Sequence, residues 1–366
     1  MSSDQITITL VPEQFTGAVT VLATYEGLTA SVFRYRSGVA ALRIDNEAGH
    51  ILLLPFQGQQ IWDAEFFGRR LTMGSMFDEP VATDDYLRNY GAFFLHCGAT
   101  AMGNPGPGDN HPLHGELPNA HYQTAELIVG RDADGPFMGL TGTYKHTVAF
   151  AHNYVAQPSV KLHRNSGRIR LSLTIRNLKR SAMELMYLAH INFRPVDGAR
   201  LIDTVPEDAR HMRIRTKVPE FFTPTEQHTR LIEALKADPA LHRTIEPGRR
   251  IEPELVMGVD CLADAGGFAH AIQLLPDGSA DYVSHRPDQL PRAVRWMTRS
   301  ADQDALGLIL PATAEADGYG AEKKKGNLRI VPAQGEFRCD MEFGALERGE
   351  AEALRRKIED VVGARG

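Results

Sequence analysis

Apolar and polar positions alternate along much of this chain, most regularly where Ile169, Leu171, Leu173 and Ile175 are separated by Arg170, Ser172 and Thr174. A strand turns successive side chains to opposite faces, so a period of two predicts a strand with one buried and one wet face. The same period runs through Met183, Leu185, Tyr187, Ala189, Ile191 and Phe193, and through Phe337, Cys339, Met341 and Phe343. Asp134-Gly135, Asp197-Gly198, Asp277-Gly278 and Asp317-Gly318 supply turns at short intervals, because glycine accepts positive φ and aspartate bonds its own backbone. Helical period is confined to Thr225 to Lys236 and to Ala351 to Val362. Many strands joined by tight turns predict an all-β sandwich or barrel with a few short helices. The Gly-, Pro- and Asn-rich stretch from Gly98 to Asn119 suits no strand and predicts a long loop across one mouth of the sheet, a place where sites are built.

Neither a repeat nor a dividing linker interrupts the 366 residues, so one domain spanning residues 1–366 is expected. Net charge is −6, and the basic run Lys323, Lys324, Lys325 is too short to neutralise a polyanion, which argues against nucleic acid as a partner. Cys97, Cys261 and Cys339 are odd in number and widely spaced, which fits a reducing compartment better than a disulfide framework or a zinc site. Met1 to Leu10 lacks a basic segment followed by an apolar one, and no run is long enough to span a bilayer. The expectation is a soluble, cytoplasmic protein, monomeric or homodimeric.

Candidate chemistry concentrates in Asn110-His111-Pro112-Leu113-His114-Gly115-Glu116-Leu117-Pro118-Asn119, with His121 just beyond and His96 upstream. A metal reading of His111, His114, Glu116 and His121 meets a spacing objection. On an extended chain, residues three apart point to opposite faces. A loop can rescue that geometry, so the metal reading stays as the weaker alternative. If Tyr187, Ala189, Ile191 and Phe193 pack inward, Glu184, His190 and Asn192 share the opposite, accessible face. A histidine there exchanges protons near neutral pH, although a plain surface histidine fits the pattern as well. Arg69 and Arg70, after Phe66-Phe67-Gly68, read as solvated residues of a strand-turn-strand connection.

Two of these segments together carry a family resemblance. Asn110-His111-Pro112-Leu113-His114-Gly115 is similar to the Asn-His-x-x-His-Gly type loop of aldose mutarotases, and Ala189-His190-Ile191-Asn192-Phe193 resembles their Asn-His-x-Tyr-Phe strand, in matching order and separation. Gly307 to Thr313 and Asn327 to Glu336 resemble the closing strands. Leu95-His96-Cys97-Gly98 with His111 to Asn119, Leu290-Pro291 and Trp296 is closer still to a branch catalogued only as a domain of unknown function.

The resemblance implies a galactose mutarotase-like β-supersandwich, with its core at about residues 30–346 and a closing helix at about 351–362, that binds a monosaccharide or sugar derivative without a cofactor. In such enzymes a carboxylate takes the anomeric proton and a histidine protonates the ring oxygen, so the ring opens and recloses as the other anomer. Carried over, His190 is the general acid and His114 binds near the ring oxygen, with His111, Glu116, Asn119, His96, Asn192 and Asp260 completing the expected binding set.

Two departures stand out. Leu310 or Pro311 occupies the place of the basic glutamate, and Cys97 to Gly103 lacks the family's arginine. Glu315 is the expected substitute base, which requires burial to raise its pKa, and Glu116 is the alternative. The expected function is therefore aldose 1-epimerase-like isomerisation. The competing readings are a non-catalytic carbohydrate-binding or regulatory protein, and a metal-dependent sugar isomerase using His96, His111, His114, Glu116 or His121.

Overall fold

A computed structural model describes residues 4–208, 210–216 and 224–364. Strands hold 47% of the chain and helices 13%, so β-sheet carries the architecture, as the alternation predicts. The first three and last two residues of the expected 1–366 unit lie outside the described residues.

Two antiparallel sheets stack face to face, with nine and thirteen strands among the described residues. In the nine-stranded sheet Asp4–Leu10 lies at one edge and Arg200–Asp203 at the other, while Arg168–Asn177, Glu336–Leu346 and Ala280–His285 run side by side between them. In the thirteen-stranded sheet the order Ile251–Val259, Arg292–Arg299, Asp304–Ala312, Met183–Ile191, Phe94–Ala99, Ile61–Phe66 forms the centre.

Alternation explains the packing. Along Arg168–Asn177 every second residue is buried, and Leu171, Leu173 and Ile175 stand opposite Met341, Cys339 and Phe337 of Glu336–Leu346, so both strands turn the same apolar face inward. Between the sheets Phe343 of one meets Phe93 and Phe94 of the other, with ring centroids 5.8 and 5.4 Å apart. Such edge and offset contacts add to the burial itself.

The two predicted helices form with slightly different ends. Glu226–Ala237 is capped by Thr225, whose hydroxyl accepts from the His228 amide at 3.0 Å. Arg348–Gly363 begins with a reciprocal Glu347/Glu350 capping box and lays Ala351, Leu354 and Ile358 on Ile272, Tyr282 and Leu346. The long loop is present, but it starts after Ala99, because Gly98 and Ala99 still pair with the Met183–Ile191 strand. Arg69 and Arg70 form a short strand antiparallel to Ile61–Phe66, as their position predicts.

Candidate functional site

A cavity of 380 Å³ opens on the face of the thirteen-stranded sheet that points away from its partner sheet. Tyr86, Tyr90, Trp296, His114, His190 and Glu254 are among its lining residues. Beneath it a pocket of 40 Å³ is walled by His190, Leu188, Leu310, Val294 and Arg215. Apolar and aromatic walls with a few convergent polar groups are the usual make-up of a small-molecule site.

His190 is 4% exposed and sits on Met183–Ile191. Its Nδ1 lies 2.8 Å from Asn192 Oδ1, and the Asn192 amide nitrogen donates to the carbonyl of Ala92 at 2.9 Å. Rings surround it edge-on: Tyr90 at 5.6 Å, His114 at 5.5 Å and Trp296 at 5.4 Å between centroids. Burial in this apolar setting pushes its pKa down to about 4, which the hydrogen bond to Asn192 only partly opposes. The pleat argument correctly turned His190 and Asn192 away from the inter-sheet core, but the tyrosines and the loop cover them. Glu184 does not join them: it pairs with Lys323 and lines a separate groove.

His114 reaches the cavity because of a local backbone constraint. It adopts φ +59°, and Gly115 follows at φ +79°. A Cβ on Gly115 would stand 2.3 Å from the Ala101 carbonyl oxygen and 2.5 Å from that of Gly98, so only glycine lets the loop lie this close to the strand end. The Gly98 amide donates to His114 O at 2.9 Å and the Leu117 amide to Gly98 O at 2.8 Å, tying the turn down. The His114 ring packs on Tyr86 at 4.8 Å, and its Nδ1 is buried without a protein hydrogen-bond partner. Burial, reinforced by His190 and Arg215, pushes its pKa well below the ordinary histidine value.

Sequence reasoning missed Glu254 and Arg215. Glu254, on Ile251–Val259, accepts from Trp296 Nε1 at 2.7 Å and from Arg215 Nη2 at 2.8 Å. Arg215 brings a guanidinium to the pocket from a different segment than the one where mutarotases carry theirs. The faint signal was Glu252 and Glu254 within a stretch that otherwise reads as a core strand, Ile251 to Val259.

Other expected residues lie elsewhere. His96 pairs across the sheet with Ala189, so its side chain points between the sheets, where it is fully buried and bonded to Tyr187 Oη at 2.8 Å. Burial holds its pKa at about 3, and it has no face on the cavity. Asn119 is buried beneath the loop, its Oδ1 accepting from the side-chain amides of Gln57, Gln60 and Asn89. Glu116 takes the amides of Ala99 and Thr100 and the hydroxyls of Thr100 and Tyr154, which makes it a brace for the loop. With His111 it lines a groove of 1010 Å³ that does not include His114. Asp260 is held by Arg213 and Arg292.

Glu315 runs against its expected role as base. Burial raises its pKa, but Lys325 at 2.7 Å and Arg213 at 2.9 Å outweigh burial and hold the carboxyl below the ordinary range. It is absent from the walls of the His190 cavity. Leu310 does line the inner pocket, as its place in the family pattern implies. The donors of the metal reading scatter: His96 lies between the sheets, His114 in the cavity, His111 and Glu116 in the groove, and His121 is exposed beside Asp84. Among the described residues they form no cluster able to share an ion.

Residues 36–345 match DUF4432, a domain of unknown function. No curated protein matches the chain. Among solved structures, a candidate aldose 1-epimerase from Klebsiella pneumoniae subsp. pneumoniae superposes with a TM-score of 0.83 at 18% identity, over 100% of this chain and 97% of that one. A galactose mutarotase-like protein from Clostridium acetobutylicum gives 0.60 at 12% identity, over 88% and 99%. The Slr1438 protein of Synechocystis sp. PCC 6803 gives 0.56 at 15%, over 84% and 95%. At these identities the likeness establishes the fold, a galactose mutarotase-like β-supersandwich.

Proposed function

The chain belongs to the DUF4432 family and has the galactose mutarotase-like fold, and from that premise we propose that it is a carbohydrate-binding enzyme that interconverts the anomers of a sugar. The observation that carries this reading is the convergence of His190, His114 and Glu254 on one cavity walled by Tyr86, Tyr90 and Trp296, with Arg215 lining the inner pocket that shares His190, His114 and Glu254. A pyranose presents an apolar face of C–H groups and a rim of hydroxyls. Aromatic walls suit the first, and a carboxylate, a guanidinium and two imidazoles suit the second. At 380 Å³ the chamber is of monosaccharide size.

In this assignment Glu254, Arg215 and His114 hold hydroxyls, and His190 exchanges protons with the sugar. Leu310 in the place of a basic glutamate favours a second reading, a cleft that recognises a sugar without turning it over. Saturation-transfer NMR on a panel of neutral and acidic aldoses separates the two. Faster anomer exchange for one sugar, lost in His190→Asn, supports the enzyme. Line broadening without faster exchange supports the recognition cleft.

A further inference from the structure

Asn192 decides which nitrogen of His190 carries the proton. Its amide Nδ2 donates to the Ala92 carbonyl at 2.9 Å, an acceptor the amide oxygen cannot pair with. Oδ1 therefore faces His190 Nδ1 at 2.8 Å, and that contact is a hydrogen bond only when Nδ1 holds a hydrogen. In the neutral ring Nε2 is then a bare lone pair, lying 3.4 Å from the Tyr90 hydroxyl on the cavity wall. A sugar ring oxygen has no proton to offer a lone pair. The group that meets Nε2 must be a hydroxyl.

We propose that His190 is a one-base proton shuttle, carrying the anomeric proton to the ring oxygen without a partner carboxylate, an inference that rests on the anomer-exchange reading above. Nε2 takes the proton of the anomeric hydroxyl as the C1–O5 bond breaks and C1=O1 forms. The imidazolium then returns that proton to O5, giving the open aldehyde and a neutral histidine. Rotation about C1–C2 and the same steps in reverse close the other anomer. One nitrogen reaches both oxygens because they share C1. Leu310 then stands at a position where no base is required, and Glu254, already engaged by Trp296 and Arg215, is left to bind. Asn192 is a positioning residue, acting only through the ring it orients.

The groups facing His190 keep this arrangement free of competing charge. Tyr90 is raised well above its ordinary pKa and His114 pushed well below its own, both by burial, while Trp296 does not titrate and Arg215 is paired with Glu254. Since the shuttle needs a neutral ring, turnover should stay level through neutral pH and fall as pH drops through about 4, where His190 titrates. A histidine that started as the acid would behave in the opposite sense, losing turnover as pH rises through that value.

The test combines a tautomer measurement with kinetics on the full chain. Nitrogen-15 NMR of histidine-labelled protein at pH 7 is expected to find His190 Nε2 unprotonated and Nδ1 protonated, whether or not a sugar is bound. Glu254→Gln is expected to raise KM several-fold with kcat kept within about threefold, whereas His190→Asn lowers kcat by about a hundredfold or more. Asn192→Leu removes the acceptor for Nδ1, and nitrogen-15 NMR is then expected to find the proton shared between the two ring nitrogens. A protonated Nε2, or a Glu254→Gln kcat as low as that of His190→Asn, overturns the shuttle while leaving anomer exchange standing. A wild-type protein that accelerates no aldose overturns both.

Discussion

His190 reaches the cavity from a strand, and most of the other expected residues lie elsewhere for geometric reasons. His190 and Asn192 were legible because a strand fixes the face of each side chain two positions apart. His96, on the adjacent strand, needed the register: only its pairing with Ala189 turns it into the core. Glu254 and Trp296 arrive from two neighbouring strands and Arg215 from just beyond the end of a third, and no local pattern records that they meet. Glu315 shows why a carboxylate near a motif is weak guidance. Its partners Arg213 and Lys325 stabilise the charged form, the reverse of what a base at neutral pH requires. We therefore expect Glu315→Gln to leave anomer exchange at the wild-type rate and to cost about 1 kcal/mol of stability, since these ion pairs are partly solvated. Exchange NMR and urea denaturation check the two halves, and a collapse of exchange in a folded variant would restore Glu315 as a candidate.

Among the elements, the histidine loop is the one whose conformation the site depends on. Its length and glycine content were readable from sequence. The division of labour inside it was not, because a left-handed residue breaks the strand parity on which the spacing argument relied. His111 ends in one chamber and His114 in another. Gly115→Ala sets a methyl against two carbonyl oxygens at a positive φ, and the turn must distort to admit it. The expected cost is about 1–3 kcal/mol, together with loss of sugar binding as the His114 ring leaves the cavity. Thermal denaturation and a binding titration measure these effects. A variant with unaltered melting temperature and affinity would show that the turn is not what holds His114 in place.

At the level of the whole molecule, alternation was enough to predict a β-sandwich, because a buried sheet face leaves its period on the sequence. Strand order was not, since pairing partners lie far apart along the chain: Arg168–Asn177 finds its neighbour at Glu336–Leu346. The two sheets hold together through their facing side chains, so Phe343→Ala, which empties the contact with Phe93 and Phe94, should destabilise the protein by about 3–5 kcal/mol. Guanidinium unfolding would test this, and a loss below about 1 kcal/mol would place the inter-sheet contact elsewhere. The position of Glu336–Leu346 has one more consequence. It is made after every other strand of its sheet and lies between strands from the two halves of that sheet. During synthesis the early strands must wait on the ribosome with an unpaired edge exposed, and folding can close only when this last strand emerges. Chaperone dependence should concentrate in that interval.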